Sequence, residues 1–400
     1  MKKILSLIII FILFIGKINA LELNISSESA ILYNLDSGEV LYEKNSDEVR
    51  QIASLTKIMT ALVTIENVDN LDKQVILTKE DFAGLIEANA VQAGFTNGEV
   101  VTYKDLLFAL LLPSGADAAK AIARNVGGSE ENFINKMNEK AKELNLKNTK
   151  FSTVIGLDDK NNYSTAKEVS IIFKEALKNK TFKEIITTKE YQTSDGKLTF
   201  KSTIQSNAKR YEIDIPYVLG GKTGTTNGAG LCLATIAKAN DVNYMLVTLG
   251  ALYDKKAPHN IEDAKIVYDY FIENYSNKII VDKDKSFKKI KVKYSNVEEI
   301  NLYPNKSITK YLENNYNKDD IKLIYNGKKE LTPLNKKEEK LGTLKIYYQD
   351  KLIDTQNIIL NENINFNIIS FIKEEIVIIS IVLILLILII IKICMKKRTK

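Results

Sequence analysis

Apolar positions in the first two thirds of the chain follow helical spacing in several segments. Between residues 53 and 66 they recur every three or four positions over a wide face, which predicts a deeply buried helix. Further helices are predicted at residues 103–112, 116–126, from 130 onward and at 165–177. Pro113 and the pair Gly127-Gly128 separate three of them, and Ser129 is placed to cap the helix that begins at Glu130.

Strand patterns lie on both sides of this helical region. Residues 30–35 and 39–42 are apolar runs joined by Asp36-Ser37-Gly38, a hairpin signal. Residues 231–237 and 244–249 also read as strands, and residues 261–275 as a closing helix. The order of strands, many helices, strands and a helix predicts an α+β fold, with a helical cluster packed on an antiparallel sheet.

The first twenty residues have the pattern of a signal peptide. Lys2 and Lys3 precede an apolar core at residues 4–15, and Ala20 is a plausible residue before a cleavage site. Ile18 is large for its place in such a site, so an uncleaved anchor is the alternative.

A second strongly apolar segment lies near the other end of the chain. Residues 376–391 are interrupted only by Ser380, and Lys392 can snorkel toward the interface. The basic run Lys396-Lys397-Arg398 follows. Because basic residues stay on the cytoplasmic side, this pattern predicts a single-pass membrane anchor with an extracytoplasmic body. A buried core helix is the alternative.

The stretch between the closing helix and the anchor differs in composition. It is rich in Lys, Asn, Ile and Tyr in short alternating runs, and it contains no catalytic constellation. The predicted organisation is a signal peptide at 1–20, a catalytic domain at 21–275, a small β-rich accessory domain at 276–370 and an anchor with a basic tail at 371–400.

Composition excludes several classes of function. The net charge is +6 in 400 residues, and no long basic patch with interleaved aromatics predicts nucleic-acid binding. His259 is the single histidine, which argues against histidine bases or ligands. Cys232 and Cys394 lie in apolar surroundings without a CxxC partner. No metal or cofactor is therefore expected.

Ser54 and Lys57 are the first candidate catalytic pair. Residues three apart on a helix share a face, so the two side chains can meet. A serine hydroxyl needs an adjacent base, and a lysine serves as one when burial or a nearby cation lowers its pKa. The S-x-x-K pattern is common by chance, and a capping serine beside a solvated lysine is the structural alternative.

Two further segments complete a possible site. Ser114 lies between Pro113 and Gly115, on a tight connection between two apolar helices, where it can face a cleft. Lys222-Thr223-Gly224-Thr225 follows two glycines at a predicted strand edge, which lets a peptide backbone approach closely. A Walker A phosphate loop is excluded because Pro216 replaces its first glycine. S-x-x-K, a serine element and K-T-G in this order form the motif set of penicillin-recognising serine enzymes.

The sequence from about residue 29 to 275 resembles the low-molecular-mass penicillin-binding proteins, the D-alanyl-D-alanine carboxypeptidases. A β domain followed by a C-terminal anchor is also similar to this family. The resemblance is carried by Ile52-Ala53-Ser54-Leu55-Thr56-Lys57-Ile58-Met59-Thr60, Leu111-Leu112-Pro113-Ser114-Gly115, Gly127-Gly128-Ser129-Glu130-Glu131-Asn132-Phe133, Leu146-Lys147-Asn148-Thr149 and Gly221-Lys222-Thr223-Gly224.

The resemblance implies a role for each motif residue. Ser54 would attack the carbonyl between two D-alanines of a peptidoglycan stem peptide, and Lys57 would accept its proton. Ser114 would relay a proton to the leaving amine. Substrate would be held by Lys222, Thr223, Gly224 and Thr225, with the backbone N–H groups of Ser54 and Thr225 as an oxyanion hole. β-Lactams would trap Ser54 as covalent inhibitors.

One departure from the family pattern concerns the second motif. The family usually has Ser-Gly-Asn, whereas this chain has Ala116 in place of the asparagine. The missing amide would contact the base lysine and the substrate, so its loss puts the rate and the β-lactam behaviour in doubt. Two alternatives stay open: a β-lactamase on the same fold, and a catalytically silent wall-binding or β-lactam-sensing protein.

Overall fold

The computed structural model describes residues 21–398, with side chains described as far as residue 395. The predicted signal peptide at 1–20 lies outside the described residues. The chain divides into two compact units, Met1–Glu273 and Asn274–Lys400.

A five-stranded antiparallel sheet organises the first unit. Its strands are β1 (Ser29–Asn34), β2 (Val40–Lys44), β3 (Val218–Thr226), β4 (Gly230–Ala239) and β5 (Val242–Ala251), in the spatial order β2-β1-β5-β4-β3. The predicted hairpin joins β1 to β2, where Asn34 Oδ1 accepts the backbone N–H groups of Asp36 and Ser37. β3 forms one edge of the sheet, so the Lys222-Thr223-Gly224-Thr225 segment has one side free of strand pairing.

Within the described part of this unit, eight α-helices pack on the sheet or on one another. They are α1 (Thr56–Asn67), α2 (Tyr103–Leu111), α3 (Ala116–Gly127), α4 (Glu130–Glu143), α5 (Ala166–Ala176), α6 (Lys180–Thr187), α7 (Thr203–Arg210) and α8 (His259–Asn274). α2 begins with a capping box in which Thr102 and Asp105 satisfy each other's backbone N–H groups. α3 ends at Gly128 in the left-handed conformation, and Ser129 caps α4 as predicted.

α1 lies at the centre of the core. All residues from Thr56 to Thr64 are buried, and α1 contacts α2, α3, α4 and α5. The short 3₁₀ turn Ala53–Leu55 precedes α1 and contacts β3 and β4. The predicted deeply buried helix is therefore present, but its first residues form this tighter turn and fix Ser54 against the sheet.

Short strand pairs join the longer elements. They are Arg50–Gln51 with Tyr163–Ser164, Gln74–Ile76 with Val100–Thr102, and Glu190–Gln192 with Thr199–Lys201. These pairs, together with α6 and α7, were not predicted from the sequence, because each is short and contributes few apolar side chains.

The second unit is β-rich, as predicted. It contains the strands Tyr275–Val281, Lys288–Val292, Glu299–Leu302, Ile308–Glu313, Ile321–Gly327, Glu330–Leu331, Lys340–Tyr348 and Lys351–Ile359. The inward positions of these strands, such as Ile290, Leu331 and Leu344, build a separate apolar core. Alternation of apolar and polar residues is typical of strands with one buried face.

The final helix, α9 (Ile368–Arg398), contains the predicted anchor. Its segment Ile368–Met395 is long enough to span a bilayer, and its mean hydropathy reaches 3.5. The aliphatic side chains between Ile376 and Ile391 are exposed on every side of the helix. A buried core helix would be covered by protein, so this helix is compatible with a single-pass membrane anchor.

Candidate active site

Ser54 lies in the 3₁₀ turn Ala53–Leu55, whose conformation is held from several sides. Ala53 has φ +46°, a left-handed conformation that costs a non-glycine residue about 1–2 kcal/mol. Thr56 Oγ1 donates to the Ala53 carbonyl at 2.9 Å, and Asn162 Nδ2 donates to Thr56 Oγ1 at 2.9 Å. These contacts offset the strain and fix the position of the Ser54 hydroxyl.

Lys57 meets Ser54 one helical turn later. Its Nζ lies 3.0 Å from Ser54 Oγ and donates to the Ile155 carbonyl at 2.7 Å. The lysine is only 2% exposed. Burial lowers the pKa of Lys57 to about 7, because the charged form loses its hydration, and the charge of Asp117 opposes the shift. A substantial neutral fraction therefore exists near neutral pH.

Lys222 lies on β3 and is completely buried. Its Nζ donates to the Thr223 carbonyl at 2.8 Å. Burial and, secondarily, the charge of Lys57 hold the pKa of Lys222 well below its ordinary value. Two buried ammonium groups repel each other, so the pair favours states with fewer than two protons. The structure therefore places Lys222, the predicted second cation, beneath the cleft and close enough to Lys57 for the two charges to interact.

Ser114 lies on the connection between α2 and α3 and is itself in the left-handed conformation, with φ +70°. The connection is held by Gly115 N–H, which donates to the Ala109 carbonyl at 2.8 Å, and by Ala116 N–H, which donates to Val91 at 2.7 Å. Asp117, fully buried, accepts hydrogen bonds from the backbone N–H groups of Ala93, Gly94 and Ala118. The loop that carries Ser114 is therefore tied to the neighbouring segment around residues 91–94.

Two glycines allow the backbone to approach the Ser54 turn closely. A β-carbon at Gly224 would lie 3.0 Å from the Ala53 β-carbon and 3.1 Å from the Ser54 nitrogen. A β-carbon at Gly156, where φ is +80°, would lie 2.1 Å from the Ala53 carbonyl oxygen. The glycine in the K-T-G segment thus has a steric role beside the serine.

These elements surround an open cleft of about 280 Å³. The predicted residues Ser54, Ser114, Thr223, Gly224 and Thr225 all line it. Lys57 and Lys222 lie behind this surface, in contact with it through Ser54 Oγ and the Thr223 carbonyl. The seven predicted site residues are therefore gathered in one place, five at the surface and two beneath it.

Other residues of the cleft were not predicted from the sequence. Thr203 on α7 shares a 2.8 Å hydrogen bond with Thr223 through their hydroxyl oxygens. The remaining wall is formed by α7 and the residue after it, by the start of β4, by the connection from β5 into α8, and by Val91 and Pro113. It comprises Val91, Pro113, Asn207, Tyr211, Leu231, Tyr253, Lys255, Ala257, Pro258 and Asn260. Their positions depend on packing between distant segments, and no local motif marks them.

Ala116, the departure from the family motif, is buried and presents only a methyl group. Lys57 instead has the Ile155 carbonyl as its acceptor beside Ser54. An ammonium group has three N–H donors, and a protonated Lys57 uses two of them for these described partners.

Solved structures similar to this chain share its fold. The DD-transpeptidase of Streptomyces K15 matches with a TM-score of 0.56 and 32% sequence identity, covering 63% of this chain and 98% of that one. Penicillin-binding protein 5 from Haemophilus influenzae matches with a TM-score of 0.61 and 22% identity, covering 87% of this chain and 100% of that one. The second match extends over both units and supports the fold alone.

Sequence comparisons identify the family. Residues 17–252 match the D-alanyl-D-alanine carboxypeptidase family, and residues 275–365 match the C-terminal domain of penicillin-binding protein 5. The carboxypeptidase DacF of Bacillus subtilis is 33% identical over 360 residues, which cover 86% of this chain and 90% of the relative. DacC of Escherichia coli is 31% identical over 350 residues, 85% of each chain. This chain therefore belongs to the D-alanyl-D-alanine carboxypeptidase family.

Proposed function

We propose that Ser54 is the nucleophile through which this chain, a serine D-Ala-D-Ala carboxypeptidase acting on peptidoglycan, cleaves its substrate. The observation that supports this assignment most strongly is the 3.0 Å contact between Ser54 Oγ and the buried Lys57 Nζ. A neutral amine at hydrogen-bond distance from a hydroxyl is the arrangement that general-base activation requires.

Acylation begins when the terminal D-Ala-D-Ala of a stem peptide enters the cleft. Lys57 takes the proton of Ser54 as the oxygen attacks the carbonyl carbon between the two D-alanines. The C–N bond then breaks, and the departing amine receives a proton through the Ser114 hydroxyl. D-Alanine leaves, and the shortened peptide remains as an ester on Ser54.

Deacylation uses the same groups in reverse. A water molecule transfers a proton to Lys57 and attacks the ester carbonyl, which frees Ser54 and the shortened stem peptide. The backbone N–H groups of Ser54 and Thr225 stabilise the tetrahedral oxyanion in both steps. Thr223, Gly224 and Thr225 on the free edge of β3 align the substrate, and Lys222 supports its carboxylate electrostatically from beneath.

β-Lactam binding is typical of this family, and the same chemistry accounts for inhibition. Attack by Ser54 opens the lactam ring, but the leaving nitrogen stays attached to the acyl group. It therefore blocks the approach of water, and the ester persists. We expect β-lactams to label Ser54 covalently.

The catalytic unit acts outside the cell membrane in this proposal. The apolar helix α9 ends in the basic run Lys396-Lys397-Arg398, which favours a cytoplasmic position for that end. The body of the chain would then face the peptidoglycan, where stem peptides are present. Removing their last D-alanine limits the supply of donors for cross-linking.

A β-lactamase is the rival that the same fold allows, and the cleft does not favour it. Rapid deacylation in a β-lactamase of this type uses a carboxylate base. None of the described residues that line the cleft is Asp or Glu. A silent binding protein is also disfavoured, because Ser54 and Lys57 are in contact.

The test measures release of D-alanine from a pentapeptide ending in D-Ala-D-Ala by the full chain in detergent. The wild type should release D-alanine, and Ser54→Ala should release none. Ser37→Ala, at the exposed hairpin between β1 and β2, serves as the matched control and should retain wild-type turnover. Release by Ser54→Ala at the wild-type rate would refute the assignment of the nucleophile.

A further inference from the structure

The loop at residues 332–337 of the second unit presents an uncovered apolar side chain. Leu334 is 87% exposed, more than any other large apolar side chain that the structure describes. The loop itself is ordered, because the Thr332 N–H donates to Asn335 Oδ1 and the Asn335 N–H donates to the Thr332 carbonyl, both at 2.9 Å. A single exposed leucine is ordinary by itself, so its surroundings decide what it indicates.

The start of α9 is fixed against a turn of the same β-rich unit. Tyr294 N–H donates to Glu374 at 3.1 Å, and the Tyr294 hydroxyl donates to Glu375. The Tyr294 ring also packs edge-on against Phe371, with 5.1 Å between the ring centroids. Glu375 is the last residue before the apolar run 376–391. Tyr294 therefore lies at the level where the anchor helix enters a bilayer.

The exposed loop lies at the same end of the unit as Tyr294. Two strands run parallel here, with Val292 opposite Leu331, and the Lys293 N–H donates to the Leu331 carbonyl at 2.8 Å. Chains that leave parallel strands run in the same direction. Tyr294 follows two residues after the first of these paired positions, and Leu334 follows three residues after the second. The tip of the loop is therefore directed toward the level at which α9 becomes apolar.

Two lysines adjoin the exposed leucine. Lys336 and Lys337 are exposed, and neither has an ion-pair partner among the residues that the structure describes. Glu338 follows them, so this short run keeps a net positive charge. The Lys337 N–H donates to Asn363 Oδ1 at 3.0 Å, which ties the loop to the chain shortly before α9. An apolar tip beside free ammonium groups suits a lipid surface with anionic headgroups.

We propose that the loop at residues 332–337 is a second membrane contact beside α9, in which Leu334 enters the lipid interface and Lys336 and Lys337 pair with anionic headgroups. This proposal rests on the membrane anchor of the proposed function, because α9 is what brings the loop to a bilayer. Tyr294 and Phe371 lie at the same level, and aromatic side chains are typical of the membrane interface. Two contacts restrain the β-rich unit against tilting, whereas one spanning helix permits it.

The experiment uses the absence of tryptophan from this chain, since a single introduced tryptophan then reports on its own surroundings. The full chain carrying Leu334→Trp is reconstituted in vesicles of phosphatidylcholine and phosphatidylglycerol with acyl chains brominated at defined depths, and quenching of the tryptophan emission is recorded. Leu352→Trp is the matched control, because Leu352 is also exposed, at 49%. It lies at the opposite end of the strand Lys351–Ile359 from Leu360, which bonds to Glu339 beside the loop. At about 3.3 Å per residue, the strand separates the control from that end by roughly 20 Å.

We expect brominated lipid to quench Leu334→Trp and to place residue 334 within about 5–10 Å of the boundary between headgroups and acyl chains. Leu352→Trp should keep its full emission. Adding Lys336→Gln and Lys337→Gln to Leu334→Trp should lower the quenching in vesicles with phosphatidylglycerol, since each lysine favours an anionic surface by roughly fivefold. The same change should have no effect in phosphatidylcholine alone.

Full emission from Leu334→Trp in the vesicles, or equal quenching in Leu352→Trp, would overturn the membrane contact. Unchanged quenching after removal of the two lysines would overturn their pairing with anionic headgroups. A wild-type chain that does not float with the vesicles would overturn the anchor itself, and the loop contact with it. Release of D-alanine by each variant tests the catalytic function separately, so the two failures are distinguishable.

Discussion

The lowered pKa of Lys57 predicts a specific pH dependence for acylation of Ser54. Burial moves that pKa from 10.5 to about 7. At pH 7 about half of the molecules would then carry the neutral amine, against roughly three in ten thousand for an ordinary lysine. This lowering of the pKa means that the buried site destabilises the charged lysine relative to the neutral amine by about 5 kcal/mol. The acylation rate should therefore rise about tenfold per pH unit below pH 7 and level off above pH 8.

The assay is the rate of covalent labelling of the full chain by a fluorescent penicillin between pH 5 and pH 10. Lys57→Met should show no labelling across this range, because the base is absent while the apolar stem is kept. Circular dichroism at each pH checks that the fold is intact. Two results would refute the reasoning: a rate that is constant from pH 5 to pH 9, or a rate that continues to climb toward pH 10. The first excludes a titrating base, and the second indicates a lysine with an ordinary pKa.

Two further predictions concern the supports of the site. Gly156→Ala should lower the free energy of unfolding by at least about 2 kcal/mol and slow acylation, because residue 156 has a left-handed backbone and the new methyl group would meet the Ala53 carbonyl. Urea unfolding measures the first effect and penicillin labelling the second. Wild-type values in both measurements would contradict this prediction. Burial lowers the pKa of His259, but the nearby carboxylates of Glu262 and Asp254 outweigh it, so that this pKa is raised. Stability from this charge is complete below pH 6.5 and is lost as pH rises through the folded-state pKa. His259→Gln should thus cost more stability at pH 6 than at pH 9, by about 1 kcal/mol or less, and an equal cost at both pH values would exclude the charged form as the cause.

Local sequence patterns were sufficient for the parts of the fold that depend on periodicity. α1 was predicted because its apolar positions repeat at helical spacing, and the hairpin from β1 to β2 because Asp36-Ser37-Gly38 is turn chemistry. α7 was not predicted, since only Ile204 and Ala208 of its residues are buried. A helix that packs through two side chains gives a weak periodic signal.

The candidate site likewise has residues that the sequence predicted and features that it did not. Ser54, Lys57, Ser114 and Lys222 were recognisable from spacing and from the order of three motifs. Complete burial of Lys222 was not predictable, because a lysine in a strand has the same sequence pattern at the surface and beneath it.

The conformation of the Ser54 turn and the composition of the cleft wall depend on tertiary contacts. The positive φ of Ala53 is stabilised by Thr56 and Asn162, which is far along the chain. The loop with Lys255 reaches the cleft only because β5 ends beside it. Residues separated by such distances come together through packing, which a single sequence does not specify locally.

The most direct measurement identifies the residue that carries the substrate during turnover. The full chain is mixed briefly with a pentapeptide ending in D-Ala-D-Ala, quenched in acid and digested, and the peptides are weighed by mass spectrometry. We predict that the peptide containing Ser54 gains the mass of the stem peptide without its last D-alanine, and that Lys57→Met shows no such adduct. Release of D-alanine with the adduct on a different residue, or an undiminished adduct in Lys57→Met, would contradict the pairing of Ser54 with a neutral Lys57.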